Sequence, residues 1–313
     1  MLAILVAACV APSSPAAEIA PGVELLPGRF VSGTQPDGNT VIFRAPAGLI
    51  VLDTGRHAEH TQAIVDYARS AQLPVRAIVN SHWHLDHIGG NPQLRREFPG
   101  VRVYASAALA DARKGFLASY RTSLQEQIAS TPDPEAQKPF RAEIAILDAG
   151  PALEPDEIVR RGGKRTIAGK KLRFGLESHA VTAGDVWLYD PATRVLAAGD
   201  LVTLPAPFLE TACPERWKAA LGHLAAIDFE LLVPGHGAPM RRENFETYRR
   251  AFDELLACAA SSKTKEECID GWLRSAGDLV SKDEAPLARA LVAYYVDTSL
   301  RGDPAQLATL CGG

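Results

Sequence analysis

The stretch Asn80-Ser81-His82-Trp83-His84-Leu85-Asp86-His87-Ile88-Gly89-Gly90 puts four metal-competent side chains into six consecutive positions. On a helix, residues two apart point to different sides, so His82, His84 and Asp86 could not meet there. On extended or looped backbone, alternate residues share a face, and all three can. The preceding PVRAIVN (74–80) reads as a short buried strand. The following Gly89-Gly90-Asn91-Pro92 reads as a helix start, with Asn91 as cap and Pro92 in the first turn. The motif therefore belongs to a strand-to-helix loop. By the same alternation, His87 turns away from its neighbour Asp86, toward a second position a few ångströms off. Imidazole and carboxylate ligands of this kind suit zinc, with iron or manganese as alternatives.

Upstream of the motif, residues 23–53 read as strands broken by Pro-Asp-Gly and Pro-Ala-Gly turns. His57 to Ala71 carries a helical stripe of Ile64, Val65 and Ala68. Downstream, VRVYAS (101–106) returns to strand. Residues 107–150 then become polar, Ala-rich and helix-forming, with a TPDPE break at 131–135, and read as a helical insertion and candidate lid. A second strand set follows in KRTIAGKKLRFGLES, DVWLYDPATRVLAAGD and ELLVPGHG, and helices take over from Arg241. Two β-rich halves, each followed by helix, predict two sheets between helical layers.

The chain has 313 residues, 47% of them apolar or aromatic and 22% charged, which excludes a disordered polypeptide. Thirty-three Lys and Arg against thirty-seven Asp and Glu give a net charge of −4. With no long basic run, a nucleic-acid partner is not expected. Leu2 to Val10 followed by Ala16-Ala17 resembles a secretory leader over residues 1–17, too short to be a permanent membrane span. A second reading makes Val6-Ala7-Ala8-Cys9 a lipoprotein site with lipid on Cys9. A periplasmic or secreted location follows from either, and a cytoplasmic one if the segment is no leader. The remaining cysteines, Cys213, Cys258, Cys268 and Cys311, can pair in three ways. Cys258 and Cys268 bracket a polar link between helical stretches, which favours a Cys258–Cys268 bridge and leaves Cys213 to pair with Cys311. Such bridges need an oxidising compartment.

The segment 82–87 resembles the His-x-His-x-Asp-His motif of the metallo-β-lactamase superfamily of hydrolases, without a gap. Further elements recur in the family's order: Leu49–Gly55 ending in Asp-x-Gly, His179 before Thr182–Asp185, Ala198-Gly199-Asp200, and Pro234-Gly235-His236-Gly237. The resemblance covers roughly residues 21–245 and implies an α/β fold, a four-layer αββα sandwich. Residues 107–150 are then an insertion and 246–313 a C-terminal helical extension. It further implies two metal ions, zinc or else iron or manganese. His82, His84 and His179 would hold the first; Asp86, His87 and His236 the second; Asp200 would bridge them. Asp53 would brace the metal loop from behind. Ala180-Val181, between His179 and the Thr-x-Gly element, depart from the common pattern. His57, His60 and His223 match no motif and read as surface or packing residues.

A family site of this kind implies hydrolysis of a small molecule by a metal-bridging hydroxide that Asp86 orients, with an ester, lactone, thioester or β-lactam as the bond cleaved. The Gly-x-Ser-x-Gly elbow of serve-by-serine α/β-hydrolases is absent. Asp200 disfavours the β-lactamases that use a cysteine ligand there, and His84 disfavours the flavo-di-iron branch. The pattern is similar to the glyoxalase II-like, lactonase-like and quinoprotein relay-type members. The competing expectation is a mono-iron persulfide dioxygenase, which would carry one iron and consume oxygen.

Overall fold

A computed structural model describes residues 16–30 and 34–312. The leader-like segment with Cys9 lies almost wholly outside them. Among the described residues, seven strands stand side by side in chain order: β1 (Ala17–Ala20), β2 (Val23–Leu26), β3 (Thr40–Ala45), β4 (Gly48–Leu52), β5 (Val75–Val79), β6 (Arg102–Ala105) and β7 (Glu157–Ile158). β1 to β4 are joined antiparallel, and from β4 onward the pairs are parallel. The second sheet holds β8 (Gly163–Ile167), β9 (Lys170–Glu177), β10 (Asp185–Asp190), β11 (Val195–Thr203) and β12 (Leu231–His236), antiparallel except for the β11–β12 pair.

Strand alternation decides which residues face which layer. Ile50 and Leu52 of β4, with Val41 and Phe43 of β3, point into the gap between the sheets, where Phe174, Val186, Leu188 and Val233 meet them. Leu49 and Val51 point the other way, onto Ile64, Val65 and Ala68 of α1 (Ala58–Ser70) and Leu94 of α3 (Asn91–Glu97), which follows the single-turn α2 (Leu85–Ile88). The stripe read from the sequence is thus the buried face of α1.

Between β6 and β7, the stretch expected as an insertion holds α4 (Ala108–Lys114), α5 (Phe116–Ser130) and α6 (Lys138–Leu147). It packs on α2 through Leu109, Ala112 and Leu117 against Trp83, Leu85 and Ile88. Against the outer face of the second sheet lie α7 (Pro214–Ala225), α8 (Arg242–Ala259), α9 (Lys265–Ala276) and α10 (Ala285–Tyr295), around Trp217, Tyr248, Phe252 and Trp272. The result is the four-layer αββα sandwich. The short α11 (Pro304–Leu310) ends at Cys311, which is bonded to Cys213 just before α7; Cys258 is bonded to Cys268. No helix among the described residues is long and apolar enough to cross a membrane.

Two local expectations differ from the structure. The residue before α3 is Gly90, not Asn91. The Asn91 side chain is buried instead behind the motif, donating to Asn80 and accepting from Thr54. Backbone alternation was expected to separate Asp86 from His87; because α2 begins at Leu85, the chain turns there and the two side chains come together.

Candidate metal centre

The motif lies at the end of β5, at the seam between the sheets, where β11 and β12 deliver Asp200 and His236 from the other half. Two groups of donor atoms form there, His82 with His84 and Asp200, and Asp86 with His87 and His236. Asp200 lies between them: Oδ2 is 3.7 Å from His82 Nε2, and Oδ1 is 3.3 Å from His87 Nε2 and 3.7 Å from His236 Nε2. Glycine makes this approach feasible. A Cβ on Gly235 would sit 1.9 Å from Asp200 Oδ1, and Gly199, at φ 56°, has the Ser81 side chain where its own would be.

Hydrogen bonds around the first group fix its protons. Ser81 donates its backbone N–H and its hydroxyl to the two Asp53 carboxylate oxygens, at 2.7 and 2.6 Å. With that proton committed, the hydroxyl accepts from His82 Nδ1 at 2.9 Å, so His82 Nε2 is a bare lone pair. Thr211 donates to the Val181 carbonyl at 2.9 Å and accepts from His84 Nε2 at 3.0 Å, so His84 Nδ1 is also a lone pair. These two lone pairs face each other at 2.8 Å. Two acceptors so placed repel unless a cation sits against both.

The second group has the same need. His87 Nδ1 donates to Asp53 Oδ2 at 2.8 Å, which aims Nε2 at carboxylates 3.3 and 3.5 Å away on Asp200 and Asp86. His87 Nε2 and Asp200 Oδ1 are both buried with no hydrogen-bond partner. His236 Nε2 is 3.0 Å from Asp86 Oδ2. Carboxylates holding an oriented imidazole in this way are the usual outer support of a metal-ligating histidine.

The electrostatics agree. Burial pushes His84 down to about 4 and His82 well below its ordinary value, so both rings are neutral and ready to ligate. Burial also opposes charge on His87 and His236, yet the carboxylates around them, Asp200 and Asp86 foremost, hold both above the usual histidine value. Asp86 and Asp200 resist burial and stay below the usual carboxylate range because those histidines face them. The second group thus attracts positive charge to the spot its donor atoms surround.

His179, expected as third ligand of the first ion, is in neither group. It sits at φ 57°, and its Nδ1 donates to the Leu310 carbonyl at 2.9 Å. Leu310 belongs to the tail that Cys311 ties to Cys213, so the C-terminal end of the chain touches the Nδ1 edge of the ring. His57 pairs with Asp37, His223 with Glu177, and buried His60 with the Thr40 hydroxyl, so all three serve packing or surface contacts. Sequence reasoning missed Thr211 and Arg56, and gave Asn91 a capping role in place of its buried contacts with Asn80 and Thr54. Arg56, beside Asp53 in the loop after β4, reaches Asp86 Oδ1 at 3.7 Å. An Arg directly after the strand-terminal Asp53-Thr54-Gly55 element was the only available signal.

Aromatic rings pack against His84 of the first group. Trp83 packs edge-on to His84 with ring centroids 4.6 Å apart and meets Phe116 of the insertion at 5.1 Å. Phe208 lies 5.0 Å from His84 and meets Tyr295 of the C-terminal helices at 5.6 Å. Tyr294 meets Tyr295 at 5.3 Å, and Phe116 and Tyr294, at the ends of this row, are 39% and 50% exposed.

A linear primary-alkylsulfatase from a Pseudomonas strain is 28% identical over 236 residues, taking in 69% of this chain and 44% of that protein. A hydroxyacylglutathione hydrolase from Vibrio parahaemolyticus is 45% identical over 58 residues, 18% of this chain and 21% of that one. The chain spans under half the length of either relative. Among solved structures, a metallo-beta-lactamase from Pontibacter korlensis superposes with TM-score 0.58 at 21% identity, over 76% of this chain and 98% of that one. A sec-alkyl sulfatase superposes with TM-score 0.60 at 19% identity, over 94% and 52%. The family model described as the metallo-beta-lactamase superfamily matches residues 33–236, a range that holds every member of both donor groups. The chain belongs to the metallo-beta-lactamase superfamily.

Proposed function

We propose that this chain hydrolyses an ester, lactone, thioester or β-lactam bond in a small molecule carrying an apolar group, using two divalent cations, with zinc the first choice. His82, His84 and Asp200 would hold one cation, and Asp86, His87 and His236 the other, with Asp200 shared. The observation that carries this reading is the pair of facing lone pairs on His82 and His84 beside the orphaned atoms of His87 and Asp200. Imidazole and carboxylate donors in this arrangement suit zinc better than a thiolate-seeking ion. When bound, such a metal pair supplies Lewis acidity and a solvent molecule acidified toward neutral pH.

The chain's own residues do the rest. Asp86, with Oδ2 turned to His236, is positioned to accept a hydrogen bond from the attacking water and orient it. Asp53 fixes His87 and, through Ser81, His82. The aromatic row supplies apolar surface for the part of the substrate that does not react. Carboxylic esters, lactones, thioesters and β-lactams all fit, and the alkylsulfatase likeness adds sulfate esters. The two disulfides support an oxidising compartment, periplasmic or extracellular, and residues 246–313 are best treated as an extension of the one catalytic domain.

The test is a panel of these five substrate types on metal-quantified protein. Two metals per chain, with turnover lost on chelation and regained with zinc, is the expected result. Protein grown with ample zinc, iron and manganese that carries no metal refutes the reading. One iron with oxygen consumption would replace it with the dioxygenase.

A further inference from the structure

Asp86 divides its carboxylate. Oδ2 turns inward to His236 and His87, whereas Oδ1 turns outward to the Arg56 guanidinium at 3.7 Å. The Arg56 side chain is only 9% exposed, and a cation so buried needs anionic partners. Its other partner comes from the insertion: Glu143 of α6 accepts from Arg56 Nη1 at 2.8 Å. The same Glu143 oxygen accepts from the Tyr120 hydroxyl of α5 at 2.6 Å. Tyr120, Glu143, Arg56 and Asp86 therefore form one continuous chain of polar contacts from the insertion to the inner donors.

The backbone beneath Arg56 is fixed too. Asp37 Oδ1 accepts from the Arg56 N–H at 2.6 Å, and Gly89 packs against the Arg56 Cα so closely that a Cβ would lie 3.0 Å away. The loop carrying Arg56 also carries Asp53, so one loop braces two adjacent members of the second group: His87 through Asp53 and Asp86 through Arg56. Outer contacts of this kind typically change metal affinity 10- to 100-fold when removed.

We propose that Arg56 is a positioning residue for Asp86, held in place by Glu143 and Tyr120, so that docking of the helical insertion sets the affinity of the second metal position. The proposal rests on the two-cation reading above. It makes the insertion part of the site itself: when α6 lifts away, Arg56 loses Glu143 and is free to swing off Asp86. Metal retention and lid position are then one equilibrium.

The experiment titrates full-length, metal-stripped protein with zinc against a competing chelator, resolving two binding steps. Wild type should bind two equivalents. Glu143→Gln should weaken one step about 10- to 100-fold and leave the other unchanged. Tyr120→Phe, which removes one hydroxyl and no charge, should weaken the same step by less; it carries the test where Glu143→Gln fails to fold. Arg56→Lys should restore part of the affinity lost in Arg56→Gln, because a cation remains near Asp86 without the guanidinium's geometry. Wild-type affinity at both steps in Glu143→Gln or Tyr120→Phe overturns the proposal while leaving the two-cation reading intact. Equal weakening of both steps, tracking a lower melting temperature, overturns it in favour of a purely structural contact. A wild type that binds no zinc removes the two-cation reading itself.

Discussion

Reducing or deleting the Cys213–Cys311 bridge should cost more stability than deleting Cys258–Cys268. The bridges span 98 and 10 residues along the chain. If their main effect is to limit the unfolded chain, closing the longer loop is worth about 4.7 kcal/mol and the shorter about 2.7 kcal/mol. With an unfolding entropy of about 2.1 cal/mol/K per residue, these correspond to melting-temperature losses of roughly 7 °C and 4 °C for a chain of this size. The assay is calorimetry on protein folded under oxidising conditions, comparing wild type, Cys311→Ser and Cys258→Ser with and without reductant. Cys311→Ser avoids the burial penalty a Cys213 substitution would add, since Cys213 is buried and Cys311 is partly exposed. Reductant should lower the wild type by about the sum of the two effects and each variant by only its remaining bridge. A wild type whose melting temperature does not respond to reductant refutes the bridges as stabilising elements. Cys258 is buried as well, so each loss is corrected by the difference between the reduced variant and the reduced wild type; a larger corrected loss in Cys258→Ser than in Cys311→Ser refutes the loop-length reasoning.

Three further expectations concern the site. His84→Ala should abolish turnover and lower the bound metal by about one ion per chain while leaving the circular dichroism spectrum of the wild type; unchanged activity removes His84 from the site. Burial holds His60 at about 4, below its ordinary 6.5, so the folded state keeps it neutral and the unfolded state takes up its proton first. Its contribution is therefore complete above the ordinary value and lost as pH falls toward 4, up to about 3 kcal/mol. Denaturant titrations of metal-free wild type should fall more steeply over this range than those of His60→Gln, and parallel curves contradict the assignment. Finally, kcat/KM should rise about fourfold per methylene along a series of esters with longer apolar chains. Phe116→Ala and Tyr294→Ala should flatten that rise without changing metal content; a series independent of chain length argues against the aromatic row as a substrate surface.

The sequence carried the layers and most of the donor set because both rest on short-range patterns. Six donors lie in local motifs whose backbone context, strand end or glycine turn, is written beside them, as with Gly199-Asp200 and Pro234-Gly235-His236. Alternation along β3 and β4, and the stripe on α1, are likewise local. What escaped depends on partners far away in the chain. His179 lies outside both groups, and its Nδ1 bonds to a carbonyl 131 residues later. Arg56 acquires its meaning from Glu143, 87 residues on, and His84 is oriented by Thr211, 127 residues on. Asn91 has the right type and position for a helix cap, but a buried amide network with Asn80 and Thr54 outcompetes that role. Asp86 and His87 were separated by strand logic that stops applying once α2 begins.

The seam between the two sheets also sets a timetable for biogenesis. Four of the donors are synthesised by residue 87, but Asp200 and His236 emerge only after more than a hundred further residues. A nascent chain that has made only the first half can offer His82, His84, Asp86 and His87 to passing ions, without the carboxylate that joins the two groups or the last imidazole. On the two-cation reading, stable loading would wait for the second sheet to dock, and metallation would follow folding. A chaperone or chelator acting during synthesis would meet an incomplete and more weakly binding centre.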